Sequence, residues 1–448
     1  MNFKLTKDYL NKIENLAKKN DCQGVQKLCL NLLPPDIAEI IKSIKIQHAK
    51  FILTTLNQEI VAEILIELEE DIREKIIEDF SPKKISKEII SNLDSDDAAD
   101  VIQELSESRQ KEVLSNILDP QQANDIVNLL SYKKNSAGAL MATELIKVKE
   151  DWSILRCVSE MRQQAQNINN VYTIYVVNKF EQLIGTVSLK KLLISPEKTF
   201  IKSIYNQSII SVNTHTNAEE VIRIMNKYDL IVLPVVNTKN ELLGRITIDD
   251  VIDIIKEEAE KDYHMASGII DNIEPKDGVL ILTKARIPWL FIGMIGGLLG
   301  AQIIGLFNLV ENPILAFFIP LITAMGGNVG VQSSAIIVQG IANQVIKGSL
   351  INRLFKEIGL GLINGLILSV VLIIFGEIID QDMLLSLTVA GSMMSVIILS
   401  ALIGTFVPII LHRQGFDPAI ATGPFITTAN DIFGIFLFFY IAKSILGF

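Results

Sequence analysis

The chain has 448 residues, of which 49% are hydrophobic and 21% are charged, and its mean hydropathy of +0.36 is high for a protein folded entirely in water. Its net charge is −10 and its pI is near 5.1, which argues against a nucleic-acid partner. Three cysteines without a CxxC motif argue against a disulfide framework and a cysteine zinc site.

The charges are unevenly distributed along the chain. Residues 287–448 contain five Lys or Arg and seven Asp or Glu, which leaves 36 basic and 44 acidic residues in 1–286. The chain therefore divides into an acidic soluble part of net charge −8 and an apolar part of net charge −2. The first twenty residues show a charged amphipathic helix pattern without the apolar region of a signal peptide, so we expect the soluble part to stay in the cytosol.

Residues 30–135 are predicted to form a small solenoid of helical hairpins. Four segments each begin with an acidic or amide residue and continue as an apolar stripe. The matching acids are Glu39, Glu63, Asp100 and Asp125. Asp96 and Asp100 lie one helical turn apart on one face, where they repel unless a cation lies between them. The alternative is that these acids complement the helix dipole.

Residues 136–257 contain an internal repeat. Residues 146–161 match 210–225 at an offset of 64, and 176–193 match 235–252 at an offset of 59. Each copy reads as strand, helix, strand, turn, strand, helix. The repeat resembles a pair of CBS domains, which are regulatory modules that often bind adenine nucleotides.

The second copy fits the nucleotide-binding pattern of CBS domains. Gly244, Thr247 and Asp250 occupy the glycine, hydroxyl and ribose-carboxylate positions of that pattern. In the first copy Ser188 fits, but Lys191 replaces the carboxylate. The resemblance implies one ATP site that uses Thr247 and Asp250, and the alternative is a pair that binds no nucleotide.

A charged amphipathic helix pattern over 249–277 connects the repeat to the apolar part. Its position would allow it to transmit a movement of the soluble part to the membrane. The alternative is a solvated linker helix.

Five stretches that are long and apolar enough to cross a membrane follow this helix. A bilayer core requires about 20 apolar residues in helical form. The stretches are 287–310, 312–346, 358–376, 383–411 and 418–442. The second stretch is longer than one span requires, which a tilt or a break at Gly326-Gly327 would accommodate.

The charges between the stretches predict their orientation. The basic residues of the second and fourth connections are Lys347, Arg353, Lys356, His412 and Arg413. The acidic residues of the first and third connections are Glu311, Glu377, Asp380 and Asp382. Because basic loops face the cytosol, we expect a cytosolic N-terminus and a C-terminus outside.

Asp431 lies inside an otherwise uncharged run. At 1.5 Å per residue it is about 20 Å from one end of that run and about 17 Å from the other. An ionised carboxylate at that depth is costly unless it faces water or a cation, so we predict a cation site on a water-filled path. The alternative is a neutral, structural Asp. Oxygen ligands without a Cys or Met cluster favour a hard cation such as Mg²⁺, Ca²⁺ or Mn²⁺.

The second stretch supplies three candidate pore-lining residues, Gly326, Gly327 and Asn328. Paired glycines let backbones approach closely and free carbonyls, and Asn328 is an amide in an apolar helix. The alternative is helix packing through small residues.

The order of these parts resembles the MgtE family of magnesium channels along essentially the whole chain. The similarity is strongest in FDPAIATGPFITTANDIFG (416–434) and in GGNVGVQSS. The resemblance implies a multidomain fold. Its parts would be an α-helical superhelical N domain (1–135), an α/β CBS-domain pair (136–252), a connecting plug helix and linker (253–285), and an all-α five-helix transmembrane pore domain (286–448).

The resemblance also implies the function. The protein would be a homodimer in the lipid of the cell (inner) membrane, and not an enzyme. It would be a Mg²⁺-selective channel for magnesium uptake, closed by cytosolic Mg²⁺ that binds between the N, CBS and plug regions. ATP is a candidate ligand of the CBS pair. The alternative is a broader divalent-cation carrier for Co²⁺ and Mn²⁺ that uses the same pore carboxylate.

The metal-binding positions implied by the resemblance lie in the pore and in the cytosolic regions. They are Asp431, Asp417, Asp96, Asp100, Asp229, Asp250, Asp253, Glu258 and Asp262. Two residues depart from the family pattern, since Lys261 replaces an acid of the plug helix and Gly423 replaces a polar residue of the last span.

Overall fold

In a computed structural model the chain forms two compact units, residues 1–255 and 256–448. The structure describes residues 3–168, 170–270, 273, 277–307, 310, 312–343, 346 and 349–447. Glu311 and Lys347, which contributed to the predicted orientation, lie outside the described residues.

The first unit begins with the predicted helical solenoid. In most of the short helices, apolar residues three or four positions apart turn one face toward a common core, in which Ile13, Ile52 and Ile64 are fully buried. The helices are α1 (Lys7–Lys18), α2 (Cys22–Cys29), α3 (Pro34–Lys42), α4 (Ile46–Thr55), α5 (Gln58–Ile66), α6 (Glu70–Ile77), α7 (Pro82–Lys84), α8 (Ser95–Gln103), α9 (Glu107–Ser115) and α10 (Pro120–Leu130). A π-helical turn (Ile85–Ile89) and a 3₁₀ turn (Ile90–Asn92) follow α7.

Arg73 joins two helices of the solenoid by a buried ion pair. Its Nε donates to Glu104 Oε2 at 2.9 Å, and the two side chains are 12% and 8% exposed. Arg73 also donates to the backbone carbonyls of Leu65 and Ile66 at 3.3 Å. The guanidinium therefore satisfies helix-end carbonyls that would otherwise lack a donor.

The internal repeat has the predicted order of elements in both copies. In each copy the first two strands are parallel and the last two antiparallel, in the sheet orders β1-β2-β3 and β4-β5-β6. The first copy is β1 (Ile146–Lys149), α11 (Ile154–Gln164), β2 (Ile174–Val177), β3 (Leu183–Val187) and α12 (Leu189–Ile194). The second is β4 (Val212–Asn213), α13 (Ala218–Lys227), β5 (Val232–Val236), β6 (Leu242–Thr247) and α14 (Ile248–Ala266).

The described residues of the second unit form five helices long and apolar enough to cross a membrane, as predicted. They are α15 (Val279–Gly305), α16 (Ile319–Ala342), α17 (Leu350–Ile378), α18 (Met383–Arg413) and α19 (Pro424–Leu446). Helices α15 and α17 begin before the predicted apolar stretches 287–310 and 358–376. Lys and Arg are good helix formers, and their long side chains can extend from the end of an apolar helix to polar surroundings. Lys284 and Arg286 therefore lie in α15, and Arg353 and Lys356 in α17.

The last predicted span was wrong in its first residues. Residues 418–442 do not form one helix, because a 3₁₀ turn (Pro418–Ala421) precedes Gly423, where φ is +52°. Few residues other than glycine adopt this conformation, and Pro424 then starts α19. Asp431 is therefore about 10 Å from the first residue of its helix, rather than near the centre of a longer one.

The second predicted span contains a break, but at a different place. A 3₁₀ turn (Pro313–Phe318) precedes α16, and the helix then continues through Gly326-Gly327. Prolines cause this arrangement, since Pro313 and Pro320 each lie in the first two positions of a helical segment.

We expect Arg73→Ala to lower the free energy of unfolding of residues 1–255 by about 3 kcal/mol, because Glu104 stays buried without its counter-charge. Urea denaturation followed by circular dichroism measures this loss. Lys75→Ala is the matched control, since Lys75 pairs with Asp71 on the surface at 3.0 Å and should cost less than about 0.5 kcal/mol. Equal losses of unfolding free energy for Arg73→Ala and Lys75→Ala would contradict a stabilising role of the buried Arg73–Glu104 pair.

Candidate functional site

The start of α8 and the end of β6 border a shared cavity of about 110 Å³ in the first unit. The sequence around LDSDDAAD makes Asp94 the N-cap of α8 and places Asp96 and Asp97 in its first turn. The second copy of the repeat contributes Thr247 and Asp250. The lining residues are Asp94, Asp96, Asp97, Ala142, Asn170, Tyr172, Arg245, Thr247, Asp249 and Asp250.

The carboxylates of this cavity oppose one another's ionisation. Burial raises the pKa of Asp97 to about 7, with further contributions from the charges of Asp250 and Asp94. Burial also raises the pKa of Asp96 well above its ordinary value, and the charges of Asp97 and Asp250 add to this shift. A proton, a basic side chain or a bound cation would relieve the repulsion.

Arg245 supplies positive charge to the cavity. Its guanidinium lies 3.7 Å from Asp94 Oδ2, donates to the backbone oxygen of Asn170 at 3.1 Å, and lies 5.2 Å from the ring centroid of Tyr172. The residue is only 5% exposed. Arg245 was not among the predicted site residues, although it directly follows Gly244 of the nucleotide-binding pattern.

Asp250 is held by the residue that was predicted to share its nucleotide site. Its Oδ2 accepts hydrogen bonds from Thr247 Oγ1 at 2.5 Å and from Thr247 N at 3.3 Å. The bond from Thr247 N is one half of a capping box, in which a carboxylate three residues into a helix accepts from the N-cap backbone, and it stabilises the start of α14. The pair therefore serves the fold whether or not a nucleotide binds.

The other implied cytosolic residues are placed differently. Asp100 is solvent-exposed, although desolvation by its neighbours raises its pKa to about 6 against the opposing charge of Arg73. Asp229 is exposed in the turn after α13, with φ +51°. Asp253 lies one turn after Asp250 on α14. Asp97, which was not among the predicted metal ligands, lines the cavity, whereas Asp100 and Asp229 are not among its lining residues.

The later part of α14 contains an ion pair at the position that departs from the family pattern. Lys261 Nζ lies 3.8 Å from Glu258 Oε2, and both side chains are partly exposed. Asp262 follows on the same helix. A lysine cation therefore lies beside one of the implied metal ligands.

The carboxylates of the first unit suit a hydrated cation rather than a fully coordinated one. Among the described residues, no three Asp, Glu, His or Cys side chains are spaced to hold a metal ion together. Mg²⁺ usually keeps several waters and needs only one or two direct carboxylates. Asp96, Asp97 and Asp250 provide such oxygens around one cavity.

In the second unit Asp431 is half-buried in the third turn of α19. Asp417 is half-buried before this helix, and its Oδ1 accepts a hydrogen bond from Ala419 N at 2.9 Å. Asn328 is exposed on α16, whereas Gly326 and Gly327 are buried against α18 and α19. This geometry favours helix packing for the two glycines and leaves Asn328 as a pore-lining candidate.

The end of α14 packs against the start of α19. A Cβ atom at Gly423 would overlap the backbone oxygen of Ala266, and one at Gly268 would overlap the ring of Pro424. The departure from the family pattern at Gly423 thus has a local reason, since a larger residue would be strained by its positive φ and would displace the end of α14.

Family models match most of the chain. The model for the MgtE intracellular N domain matches residues 32–135, the CBS domain matches 137–196 and 201–257, and the model for MgtE, described as a divalent cation transporter, matches 319–441.

Individual proteins and structures are also similar to the chain. The magnesium transporter MgtE of Bacillus subtilis is 31% identical over 70% of this chain and 71% of its own, and that of Thermus thermophilus is 33% identical over 71% and 72%. A crystal structure of the soluble part of a magnesium transporter covers 56% of this chain and 99% of its own, with 25% identity and a TM-score of 0.50. The cytosolic domain of the Mg²⁺ channel MgtE in complex with ATP covers 55% and 99%, with 28% identity and a TM-score of 0.52.

We expect Asp97→Asn to raise the thermal midpoint of residues 1–255 in the absence of divalent cations, because it removes an ionised carboxylate from the cavity. The folded-state pKa of Asp97 is raised, so its ionisation destabilises the folded state progressively as the pH rises toward about 7. The gain should therefore grow between pH 5 and pH 7.5. Asp151→Asn, at an exposed position, is the control. A rise in thermal midpoint that did not depend on pH would contradict repulsion between Asp97 and the other carboxylates of the cavity.

Proposed function

The chain belongs to the MgtE family of divalent cation transporters, and on this premise we propose that it is a Mg²⁺-selective channel for magnesium uptake. The observation that carries the proposal is Asp431, a carboxylate on an apolar helix at the position that matches the pore carboxylate of the family. A charged group within such a helix is expected to face water, a cation or a partner.

The pore of the proposed channel is formed by two copies of the chain. Hydrated Mg²⁺ is bound through one or two carboxylates, and one chain supplies one Asp431. A homodimer brings a second Asp431 to the same axis. The exposed amide of Asn328 on α16 supports a water-filled path, since an amide that faces lipid would lack hydrogen-bond partners.

The proposed channel lies in the cell (inner) membrane with its N-terminus in the cytosol. Lys284 and Arg286 near the start of α15 and Arg413 at the end of α18 support this orientation, because basic residues concentrate on the cytosolic side. With five spans the C-terminus then lies outside.

We expect Asp431→Ala to reduce Mg²⁺ uptake into vesicles containing the full chain to background, because the pore loses its cation-binding carboxylate. Asp431→Asn separates charge from hydrogen bonding, and full activity of this variant would indicate a structural role. Asp380→Asn is the matched control, since Asp380 is exposed and its φ of +53° is tolerated by Asn. Uptake of Co²⁺, Mn²⁺ and Ca²⁺ at rates equal to that of Mg²⁺ would support the broader carrier instead.

The channel is proposed to close when cytosolic Mg²⁺ binds to the first unit. Mg²⁺ would be held by Asp96, Asp97 and Asp250, whose mutual repulsion a divalent cation relieves. A ligand shifts a conformational equilibrium only by its difference in affinity for the two states. Helix α14 carries Asp250 in its first turn and ends at Ala266, which contacts Gly423 at the start of α19, so it links the cation site to the pore helix.

The remaining implied ligands lie on the same helix or in other segments of the chain. Asp253, Glu258 and Asp262 follow Asp250 on α14, and Asp100, Asp229 and Asp417 lie elsewhere. Lys261, paired with Glu258, supplies one positive charge that does not depend on Mg²⁺.

ATP is proposed as a second ligand of this cavity. The observation in favour is that Thr247 and Asp250, which match the nucleotide pattern, line the same cavity as the α8 carboxylates. A related cytosolic domain binds ATP. Because Asp250 would serve both ligands, ATP and Mg²⁺ are expected to influence each other's binding.

We expect protease digestion of the full chain to slow as Mg²⁺ rises through the millimolar range, because cations hold the solenoid against the repeat pair. The double variant Asp96→Ala/Asp250→Ala should require more Mg²⁺ for the same protection, and Asp151→Ala should not. Protons compete for Asp97, so wild-type protection at pH 8 should require less Mg²⁺ than at pH 6. A digestion rate that did not change with Mg²⁺ would contradict the proposed Mg²⁺ site of the first unit. The same digestion series with ATP in place of Mg²⁺ tests the proposed nucleotide site.

A further inference from the structure

Helix α19 is held on one side by a glycine groove of α15. Gly296 and Gly300 are four residues apart and therefore share one face of that helix. A Cβ atom at Gly296 would overlap the Cγ2 of Thr428, and one at Gly300 would lie 3.4 Å from the Cδ1 of Ile435. The two helices thus approach at positions where α15 has no side chain.

A second glycine groove, on α16, holds α19 on another side. A Cβ atom at Gly330 would overlap the Nδ2 of Asn430, and one at Gly327 would lie 3.5 Å from the Cγ2 of Thr427. Small residues at such spacing allow close packing of membrane helices. The short side chains of α19 and the two grooves therefore define how this helix is rotated.

Asn430 is the unusual residue of this contact. It is 1% exposed, and neither Nδ2 nor Oδ1 has a hydrogen-bond partner in the part of the chain that the structure describes. An unpartnered amide is unfavourable in a buried apolar contact, where an apolar side chain would lack this cost. Helix packing alone therefore does not account for an amide aimed into the groove at Gly330.

Asp431 lies between the two lines of contact. With 3.6 residues per turn, its direction on the helix is about 40° from that of Thr427 and about 60° from that of Thr428. Thr427 faces α16 and Thr428 faces α15. The carboxylate thus points between α15 and α16, which pack against α19, and a small rotation of α19 would change its direction.

We propose that Asn430 is a positioning residue for transport, which sets the direction of the Asp431 carboxylate by seating its amide on Gly330. Asn430 does not contact the ion. The inference rests on the proposed role of Asp431 and adds a determinant of its affinity and selectivity that lies on a different face of α19.

The test uses the full chain in vesicles, with initial rates of Mg²⁺ uptake measured over a range of Mg²⁺ and with Ca²⁺ as competitor. Asn430→Ala should raise the Mg²⁺ concentration for half-maximal uptake at least tenfold and weaken discrimination against Ca²⁺, while the maximal rate changes less than threefold. Gly330→Ala should have the same effect, since its Cβ displaces the amide. Asn352→Ala, at an exposed position near the start of α17 and outside the apolar stretch, is the control and should leave uptake unchanged.

The double variant Gly330→Ala/Asn430→Ala distinguishes positioning from general packing. The methyl group introduced at position 330 then occupies part of the space that the amide leaves, so the half-maximal concentration should return toward that of the wild type. If Asn430→Ala fails to fold, as judged by thermal unfolding in detergent, Asn430→Ser takes its place in the same comparison. Unchanged half-maximal concentrations in the folded variants, or single and double variants that differ only in thermal midpoint, would overturn the proposal.

Asp431→Asn separates this inference from the proposed function. If that variant keeps wild-type Mg²⁺ affinity, the pore role of Asp431 fails, and the positioning role fails with it. If that variant loses Mg²⁺ affinity while the Asn430 and Gly330 variants keep theirs, only the positioning role fails.

Discussion

Repulsion among buried carboxylates is the constraint on which the first unit depends. The solenoid and the second repeat copy are separated in the sequence, yet the fold brings Asp96, Asp97 and Asp250 around one cavity. Arg245 offsets part of this charge through Asp94. The contact between the solenoid and the second repeat copy is therefore sensitive to cations and protons. Either one reduces the repulsion among the carboxylates and leaves the apolar core unchanged.

The second unit meets a different constraint, which is the placement of polar groups in an apolar environment. Its α19 contains Asp431 and the buried amide of Asn430 within a predominantly apolar sequence. Glycines of α15 and α16 let neighbouring helices approach this segment closely. Close packing makes the direction of a single carboxylate depend on small side chains that never reach the ion.

Helix α14 has a part in both constraints. Its first turn is held by the hydrogen bonds from Thr247 to the Asp250 carboxylate, and both residues line the acidic cavity. Its last residue contacts Gly423, whose positive φ is compatible with glycine and marks the start of α19. Under the proposed function, a cation that changes the charge at one end of this helix acts on the position of the other end.

The sequence by itself determined the fold class, the repeat and the five spans, because these follow from local composition and periodicity. It also identified Asp431 as a lone charge and Asp96 and Asp250 as candidate ligands. The tertiary structure decided which groups meet, including Asp97 with Asp250, Arg245 with Asp94, and Asn430 with Gly330. These contacts join residues far apart in the chain, and no local pattern encodes them. The first residue of α19 was likewise missed, because hydropathy cannot detect a helix break that depends on the backbone conformation of one glycine.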